Sequence, residues 1–139
     1  MILNSKIFSY TFIIVFICLH LTYIQTPFCN LEWVYRYGVQ YFITEDPKYL
    51  EKYLNIQANP LTYSFFTSQL INLIKLDQIA IYRLPALFGS ILLLLTLTRY
   101  KNTWLVLIVG LNPLIWIYSG RAYSELIAVG LMMIAFELR

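Results

Sequence analysis

QTPFCNLEWVYRYGVQYFITEDPKYLEKYLNIQANP, residues 25–60, is the long segment of this chain that is too polar for a lipid core. Charged side chains cluster in it, whereas the sequence on either side consists mainly of apolar runs. It is also rich in tyrosine, phenylalanine and tryptophan, which is typical of a segment lying against a bilayer surface. We therefore expect an outer loop with short juxtamembrane helices, which carries whatever chemistry the protein performs.

The composition of the whole chain indicates an integral membrane protein. Hydrophobic residues make up 60% of the 139 residues and charged residues only 12%, against about 45–50% and about 25% in soluble domains. The net charge of +3 is spread thinly, so we expect no nucleic-acid partner. Cys18 lies inside an apolar run and Cys29 beyond it, which predicts unpaired thiols, and no Cys/His spacing predicts a metal site.

The apolar runs predict an all-α integral membrane fold with about four transmembrane helices in a single module. Each run approaches the roughly 20 residues that cross a hydrocarbon core. The predicted spans are residues 7–24, 79–98, 104–118 and 122–138. Residues 61–75 are apolar mainly on one face, which predicts an interfacial or re-entrant helix.

Two short helices are predicted within the outer loop, over residues 31–42 and 47–54. The step Asp46-Pro47 marks the break between them. Pro47 suits the first position of a helix, and Asp46 suits the capping position before it.

The basic residues that do not belong to the loop indicate which side of the membrane each connection lies on. If the interfacial helix does not cross the membrane, Arg99 and Lys101 lie inside; if it crosses, they lie outside. We prefer the first arrangement, because it keeps this compact basic turn inside and places the loop, Arg83 and Arg121 on one outer face. It predicts a plasma (inner) membrane protein with a cytoplasmic amino terminus.

Polar residues interrupt three of the predicted spans. Arg83 lies near one end of its span, so its guanidinium can reach the membrane surface by snorkelling. His20 is interpreted as a histidine at the interface or bonded to a neighbouring helix, with a proton relay as the alternative. Asn112-Pro113 should bend the third span, and the alternative is a kink that opens a lipid-accessible groove.

Three pieces of the sequence carry a family resemblance through their order and spacing. They are Asn59-Pro60-Leu61-Thr62-Tyr63, Tyr82-Arg83-Leu84-Pro85-Ala86-Leu87-Phe88-Gly89 and Asn112-Pro113-Leu114-Ile115-Trp116-Ile117-Tyr118-Ser119-Gly120-Arg121. They resemble His-Pro-Pro-Leu-Tyr-Tyr, Arg-Leu-Pro-Ser-Ala-Leu-Phe-Gly, and Ser-Pro followed by Tyr-Ser-Arg in polyprenyl-phosphate-sugar-dependent membrane glycosyltransferases. Those enzymes have the GT-C fold and include the protein O-mannosyltransferases and the bacterial enzymes that glycosylate lipid A.

The resemblance implies transfer of a sugar from a polyprenyl-phosphate donor to an acceptor on the outer face, with inversion at the anomeric carbon. Such a reaction needs a carboxylate that accepts or orients the acceptor proton. It also needs cationic help for the departing phosphate, from arginines or from a divalent metal in a complete enzyme. Membrane lipids and the polyprenyl-phosphate sugar donor are the implied partners.

The candidate catalytic residues are carboxylates of the outer loop. The family's Asp-Glu pair falls on Leu31-Glu32, so Glu32 is the first candidate and leucine stands in place of the family's aspartate. Glu45 and Asp46 are the other carboxylates that could reach the site. The alternative for Glu32 is a structural role, as a carboxylate stabilised by the dipole at the start of a helix.

The resemblance also implies substrate-binding residues, namely Tyr35, Asn59, Arg83, Arg121 and Glu125. Asn59 replaces a family histidine, and an amide cannot bind metal as imidazole does. Arg83 and Arg121 match family arginines that suit a phosphate. The alternative for Arg121 is an i, i+4 ion pair with Glu125 at the start of the fourth span.

The resemblance covers only the amino-terminal part of those enzymes. We therefore expect a module that is inactive alone, from a truncated or split enzyme whose missing carboxy-terminal half is a further partner. The alternative is a small non-enzymatic membrane protein that binds lipid or serves as an assembly subunit.

Overall fold

The computed structural model describes residues 2–28, 30–56, 61–75, 79–100, 102–121 and 124–137, and these form an all-helical fold. The described helices are α1 Ile2–Tyr23, α2 Asn30–Thr44, α3 Pro47–Ile56, α4 Thr62–Ile74, α5 Ile79–Thr98, α6 Thr103–Gly110, α7 Pro113–Ser119 and α8 Glu125–Glu137. The prediction of an all-α class is confirmed.

Two of the described helices are long and apolar enough to cross a membrane. They comprise residues Lys6–Tyr23 of α1 and the whole of α5. The first two predicted spans therefore have matching helices. α4 contains 13 residues and is about 20 Å long, shorter than the roughly 30 Å of a hydrocarbon core. This length is consistent with the predicted interfacial or re-entrant helix.

The region predicted as a third span, 104–118, is divided into two helices. α6 ends at Gly110, and α7 begins at Pro113, where the Asn112 side chain accepts a hydrogen bond from the Leu114 N–H at 2.9 Å. Proline has no N–H to continue the ladder of α6, so the expected bend becomes a complete break. The Trp116 indole donates to the Gly110 carbonyl at 2.6 Å and satisfies an acceptor at the end of α6.

The part of the chain predicted as the outer loop, called the outer segment below, forms two helices, one on each side of the predicted break. α2 ends at Thr44, and Glu45 adopts a left-handed conformation with φ 56°. The Asp46 carboxylate accepts a hydrogen bond from the Lys48 N–H at 3.0 Å, and Pro47 is the first residue of α3. The predicted cap is therefore confirmed, and both helices extend a little beyond the predicted bounds.

Asp46→Ala is expected to fray the start of α3, whereas Asp46→Asn should preserve it, because the amide oxygen can still accept from the Lys48 N–H. The Lys48 side chain and backbone hydrogen bonds lower the pKa of Asp46 from its ordinary value. The stabilisation should therefore be present above the unfolded pKa of about 3.9 and lost as pH falls through the lower folded pKa. Amide hydrogen exchange at Lys48 measures this stabilisation. Equal protection from exchange in the wild type and in both Asp46 variants would contradict the cap.

Close contact between α5 and α8 depends on glycine. A Cβ on Gly89 would overlap the backbone of Ile127, and a Cβ on Gly130 would lie 2.5 Å from the Gly89 carbonyl oxygen. The two backbones therefore approach as closely as glycine permits. This contact places the first part of α8 beside the middle of α5.

Two groups of buried side chains hold the remaining helices around α5. One group joins α1, α5, α6 and α8 through residues such as Phe16, Leu94 and Val106. The other joins α2, α4 and α5 through residues such as Tyr35 and Tyr63. Since α5 belongs to both groups, it is the central helix to which the outer segment and the apolar helices are attached.

Candidate functional site

A buried ion pair joins the outer segment to the central helix. Glu32 lies in the first turn of α2 and Arg83 in the first half of α5, and both side chains are 0% exposed. Arg83 Nε donates to Glu32 Oε1 at 2.8 Å, and Nη2 donates to Oε2 at 3.0 Å. The guanidinium and carboxylate thus form a two-bond fork, the strong geometry for this pair.

The other donors of Arg83 bind the connection between α1 and α2. Nη1 donates to the Ile24 carbonyl at 3.0 Å and to Thr26 Oγ1 at 2.9 Å, and Nη2 donates to the Pro27 carbonyl at 3.1 Å. All five N–H groups of Arg83 therefore have acceptors. The prediction that this side chain snorkels to the membrane surface is wrong. Its guanidinium is buried, and oxygen atoms inside the protein accept its hydrogen bonds in place of water.

Arg121 contacts the same carboxylate from the connection between α7 and α8. Its Nη1 donates to Glu32 Oε2 at 3.2 Å and to the Pro27 carbonyl at 3.3 Å, and its side chain is 35% exposed. The alternative ion pair with Glu125 does not form, because Glu125 lies on the exposed first turn of α8 and Arg121 has paired with Glu32. We call Glu32, Arg83 and Arg121 the Glu32 cluster; with two cations and one anion it has an excess positive charge.

Of the three guanidinium nitrogens of Arg121, only Nη1 donates hydrogen bonds to described residues. This side chain also borders an open groove of about 370 Å³, lined by His20, Tyr23, Thr26, Trp116, Ile117, Gly120 and Arg121. Charged donors at the edge of a cavity are suited to binding an anionic group. The groove is therefore the place where the Glu32 cluster can meet a ligand.

His20 stabilises the wall of this groove. Its Nδ1 lies 2.8 Å from the Phe16 carbonyl oxygen, and its Nε2 lies 2.7 Å from Ser119 Oγ in α7. The Trp116 ring packs over the imidazole with 4.7 Å between ring centroids. The interpretation of His20 as a residue bonded to a neighbouring helix is confirmed, and its partner Ser119 was not identified from the sequence.

Tyr35 lies behind the Glu32 cluster and not in the groove. It is 1% exposed, and its hydroxyl is 3.3 Å from Ser124 Oγ. Its ring lies 5.0 Å from that of Tyr63, whose hydroxyl donates to the Tyr82 carbonyl at 2.6 Å. Burial raises the pKa of Tyr63 well above its ordinary value, so this hydroxyl stays protonated. These tyrosines support the site without facing a ligand.

Two of the other predicted carboxylates, Glu45 and Asp46, are not brought to the Glu32 cluster. Glu45 and Asp46 follow the far end of α2, about 20 Å along the helix axis from Glu32, and Asp46 pairs with Lys48 at 2.7 Å. Glu125 is exposed at the start of α8, and Asn59 lies outside the described residues. Of the predicted catalytic residues, only Glu32 lies beside the two arginines.

The residues of the Glu32 cluster do not fit a divalent metal. Its single carboxylate is engaged by two guanidinium groups, which would repel a cation. Among the described residues, no three His, Cys, Asp or Glu side chains form a group that could hold a metal ion. The chemistry of this donor set is that of an anion site.

These features define an all-helical protein with two helices that could span a membrane and a buried charged cluster beside an open groove. No protein-family model, curated protein or solved structure matches the chain.

Proposed function

We propose that this chain is an integral membrane module of a GT-C glycosyltransferase, located in the plasma (inner) membrane with its amino terminus in the cytoplasm. Its activity would be transfer of a sugar from a polyprenyl-phosphate carrier to an acceptor on the outer face. Large apolar side chains are exposed on α1, α6 and α8, for example Ile14 (60%), Trp104 (73%) and Met132 (59%). Such surfaces are unusual on a protein surrounded by water and favour contact with lipid.

The observation that carries the proposal is the convergence of Glu32, Arg83 and Arg121. The resemblance assigns these residues to substrate chemistry from three separate parts of the sequence, and they share one set of contacts. The phosphate of a polyprenyl-phosphate sugar is a diester that carries one negative charge and gains a second as the sugar leaves, and the excess positive charge of the cluster complements it. The donor phosphate would therefore lie in the groove against the exposed side of Arg121.

The same contacts explain why the module would be inactive alone. Both oxygens of Glu32 already accept hydrogen bonds from guanidinium groups, so neither is open to the hydroxyl of an acceptor. A carboxylate held in this way is a poor general base. The proposal therefore assigns donor binding to this chain and proton transfer to a carboxylate supplied by a partner.

A small non-enzymatic membrane protein is the second candidate. It is favoured by the complete saturation of Arg83, whose donors bind Glu32 and the connection between α1 and α2. An arginine with every donor engaged has a structural role that needs no substrate.

Arg121→Gln is expected to weaken binding of a polyprenyl-phosphate hexose by at least about tenfold, since a hydrogen bond to a charged group contributes about 1.5–3 kcal/mol. Binding of the tritiated lipid to the purified full chain in detergent measures this effect. The matched control is Arg99→Gln, which removes an exposed arginine paired with Glu137 and should leave binding unchanged.

Dephosphorylated polyprenol serves as the control ligand and should bind far more weakly than the phosphate ester. If the wild-type chain binds neither lipid, or binds both equally, the transferase module is excluded and the non-enzymatic candidate stands.

A further inference from the structure

A second polar pocket lies on the outer segment, and the Phe28 ring separates its Arg36 from Arg83 of the Glu32 cluster. It has a volume of about 450 Å³ and is lined by Trp33, Arg36, Tyr37, Gln40 and Tyr49. The first four residues form a stripe along α2 at helical spacing, and Tyr49 belongs to α3. The pocket thus lies between α2 and α3, and its Arg36 is one helical turn beyond the buried Glu32.

Cations cover the aromatic rings of this pocket. Arg36 Cζ lies 5.1 Å from the centroid of the Trp33 ring and 6.0 Å from that of Phe28, and Lys52 Nζ lies 5.5 Å from that of Tyr37. These are distances at which a cation is attracted to an aromatic face. The covered faces are not available to stack a sugar ring. A guanidinium lying on a ring still presents its in-plane N–H donors to an anion.

The two cations at the pocket form no ion pair of their own, although Asp46, whose carboxylate pairs with Lys48, is also within electrostatic range of Lys52. Among the described residues, neither Arg36 nor Lys52 has a carboxylate within ion-pair distance, whereas the neighbouring Lys48 is neutralised by Asp46 at 2.7 Å. Glu51 follows Tyr49 by two positions on α3, about 200° around the helix, and so faces away from the pocket. Two positive charges therefore border a cavity with hydrogen-bonding side chains.

We propose that this α2–α3 pocket binds the phosphate headgroup of an anionic phospholipid. Arg36 and Lys52 supply the charge, and Gln40 supplies an amide donor. Tryptophan and tyrosine are the residue types that occupy the headgroup level of a bilayer. The phosphate of one lipid molecule would hold the α2–α3 hairpin at the membrane surface.

The apolar end of α3 agrees with this occupant. Leu54 and Ile56 are exposed (57% and 54%) one or two turns beyond the pocket-lining part of α3. Apolar side chains beside a basic, aromatic surface are the pattern of helices that lie in the interface. The inference rests on the membrane location in the proposed function but not on sugar transfer.

The test measures lipid retained by the purified full chain in neutral micelles containing equal amounts of phosphatidylglycerol and phosphatidylcholine, by native mass spectrometry. The wild type should retain phosphatidylglycerol selectively. Arg36→Gln and Lys52→Gln should each reduce its retention about fivefold, the effect of one basic residue near an anionic lipid surface. Lys52 is exposed, so its substitution should not disturb folding. Lys6→Gln, which removes one exposed charge from α1, is the matched control.

The outcomes separate the source of the phosphate and the role of the pocket. Equal retention of both lipids, equal losses in the Lys6 and pocket variants, or complete displacement of phosphatidylglycerol by inorganic phosphate would each overturn the proposal. Selective retention in a chain that fails to bind the polyprenyl-phosphate hexose would support this pocket while excluding the transferase module. Binding of the hexose lipid without selective phosphatidylglycerol retention would support the transferase module and overturn the proposal for this pocket.

Discussion

Glu32→Leu should lower the free energy of unfolding by about 3–5 kcal/mol, because it leaves the Arg83 guanidinium buried without its counter-charge. Both groups are 0% exposed and share two hydrogen bonds of 2.8 and 3.0 Å. A loss of this size is a large fraction of the stability of a small domain. Reversible unfolding of the purified chain in mixed micelles, followed by helical circular dichroism, measures it.

The double variant Glu32→Leu/Arg83→Met should recover part of this loss, because an apolar pair can replace a buried ion pair at small cost. A cycle of the two single variants and the double variant then gives the coupling between the two side chains. The control is Glu51→Leu, an exposed site on α3, with an expected change within about 0.5 kcal/mol. If Glu32→Leu is as mild as Glu51→Leu, the ion pair does not hold the outer segment to α5.

Gly89→Leu is expected to lower the free energy of unfolding by about 3 kcal/mol or more, since added atoms in a close-packed contact force the backbones apart. Even a Cβ at this position would overlap the backbone of Ile127 in α8. Backbone atoms, unlike the end of a flexible side chain, cannot move aside alone. The same unfolding measurement applies, and Gly89→Ala should fall between the wild type and Gly89→Leu.

Gly120→Ala is the matched control for this contact. A Cβ there would lie 3.4 Å from the Trp116 carbonyl oxygen and 3.6 Å from the His20 ring, which are ordinary packing distances. We expect a change within about 0.5 kcal/mol. Similar effects at Gly89 and Gly120 would show that α5 and α8 do not depend on close backbone approach.

Local features were predicted well from the sequence. The bounds of α5 agree with the predicted span 79–98. A long apolar run is itself a strong signal for a helix in a membrane protein. The cap at Asp46 was also predicted, since it depends on residues only two positions apart. The break at Asn112-Pro113 was expected only as a bend, because proline lowers helix stability but the outcome depends on the neighbours that satisfy the freed carbonyl groups.

The partners of the charged residues were not predicted. Arg83 and Arg121 were predicted to face a phosphate, with snorkelling as the other interpretation of Arg83 and a local pair with Glu125 as the alternative for Arg121. Instead both bind Glu32, which is 51 and 89 positions away in the sequence. One signal was present: a charge within an apolar run has few ways to be stabilised, so it needs a partner of opposite charge. The carboxylates of the outer loop were the available partners, but nothing local distinguished Glu32 from Glu45.

The amino-acid sequence by itself determined the helical class, the two long apolar helices and the turn chemistry, because each depends on residues within a few positions of one another. The tertiary structure alone decided which charges are buried and paired. It showed that the outer segment is attached to α5 through the ion pair of Glu32 and Arg83. The physical reason is that the free energy of a buried charge depends on the groups that surround it in space. Those groups come from distant segments, and only packing of the helices brings them together.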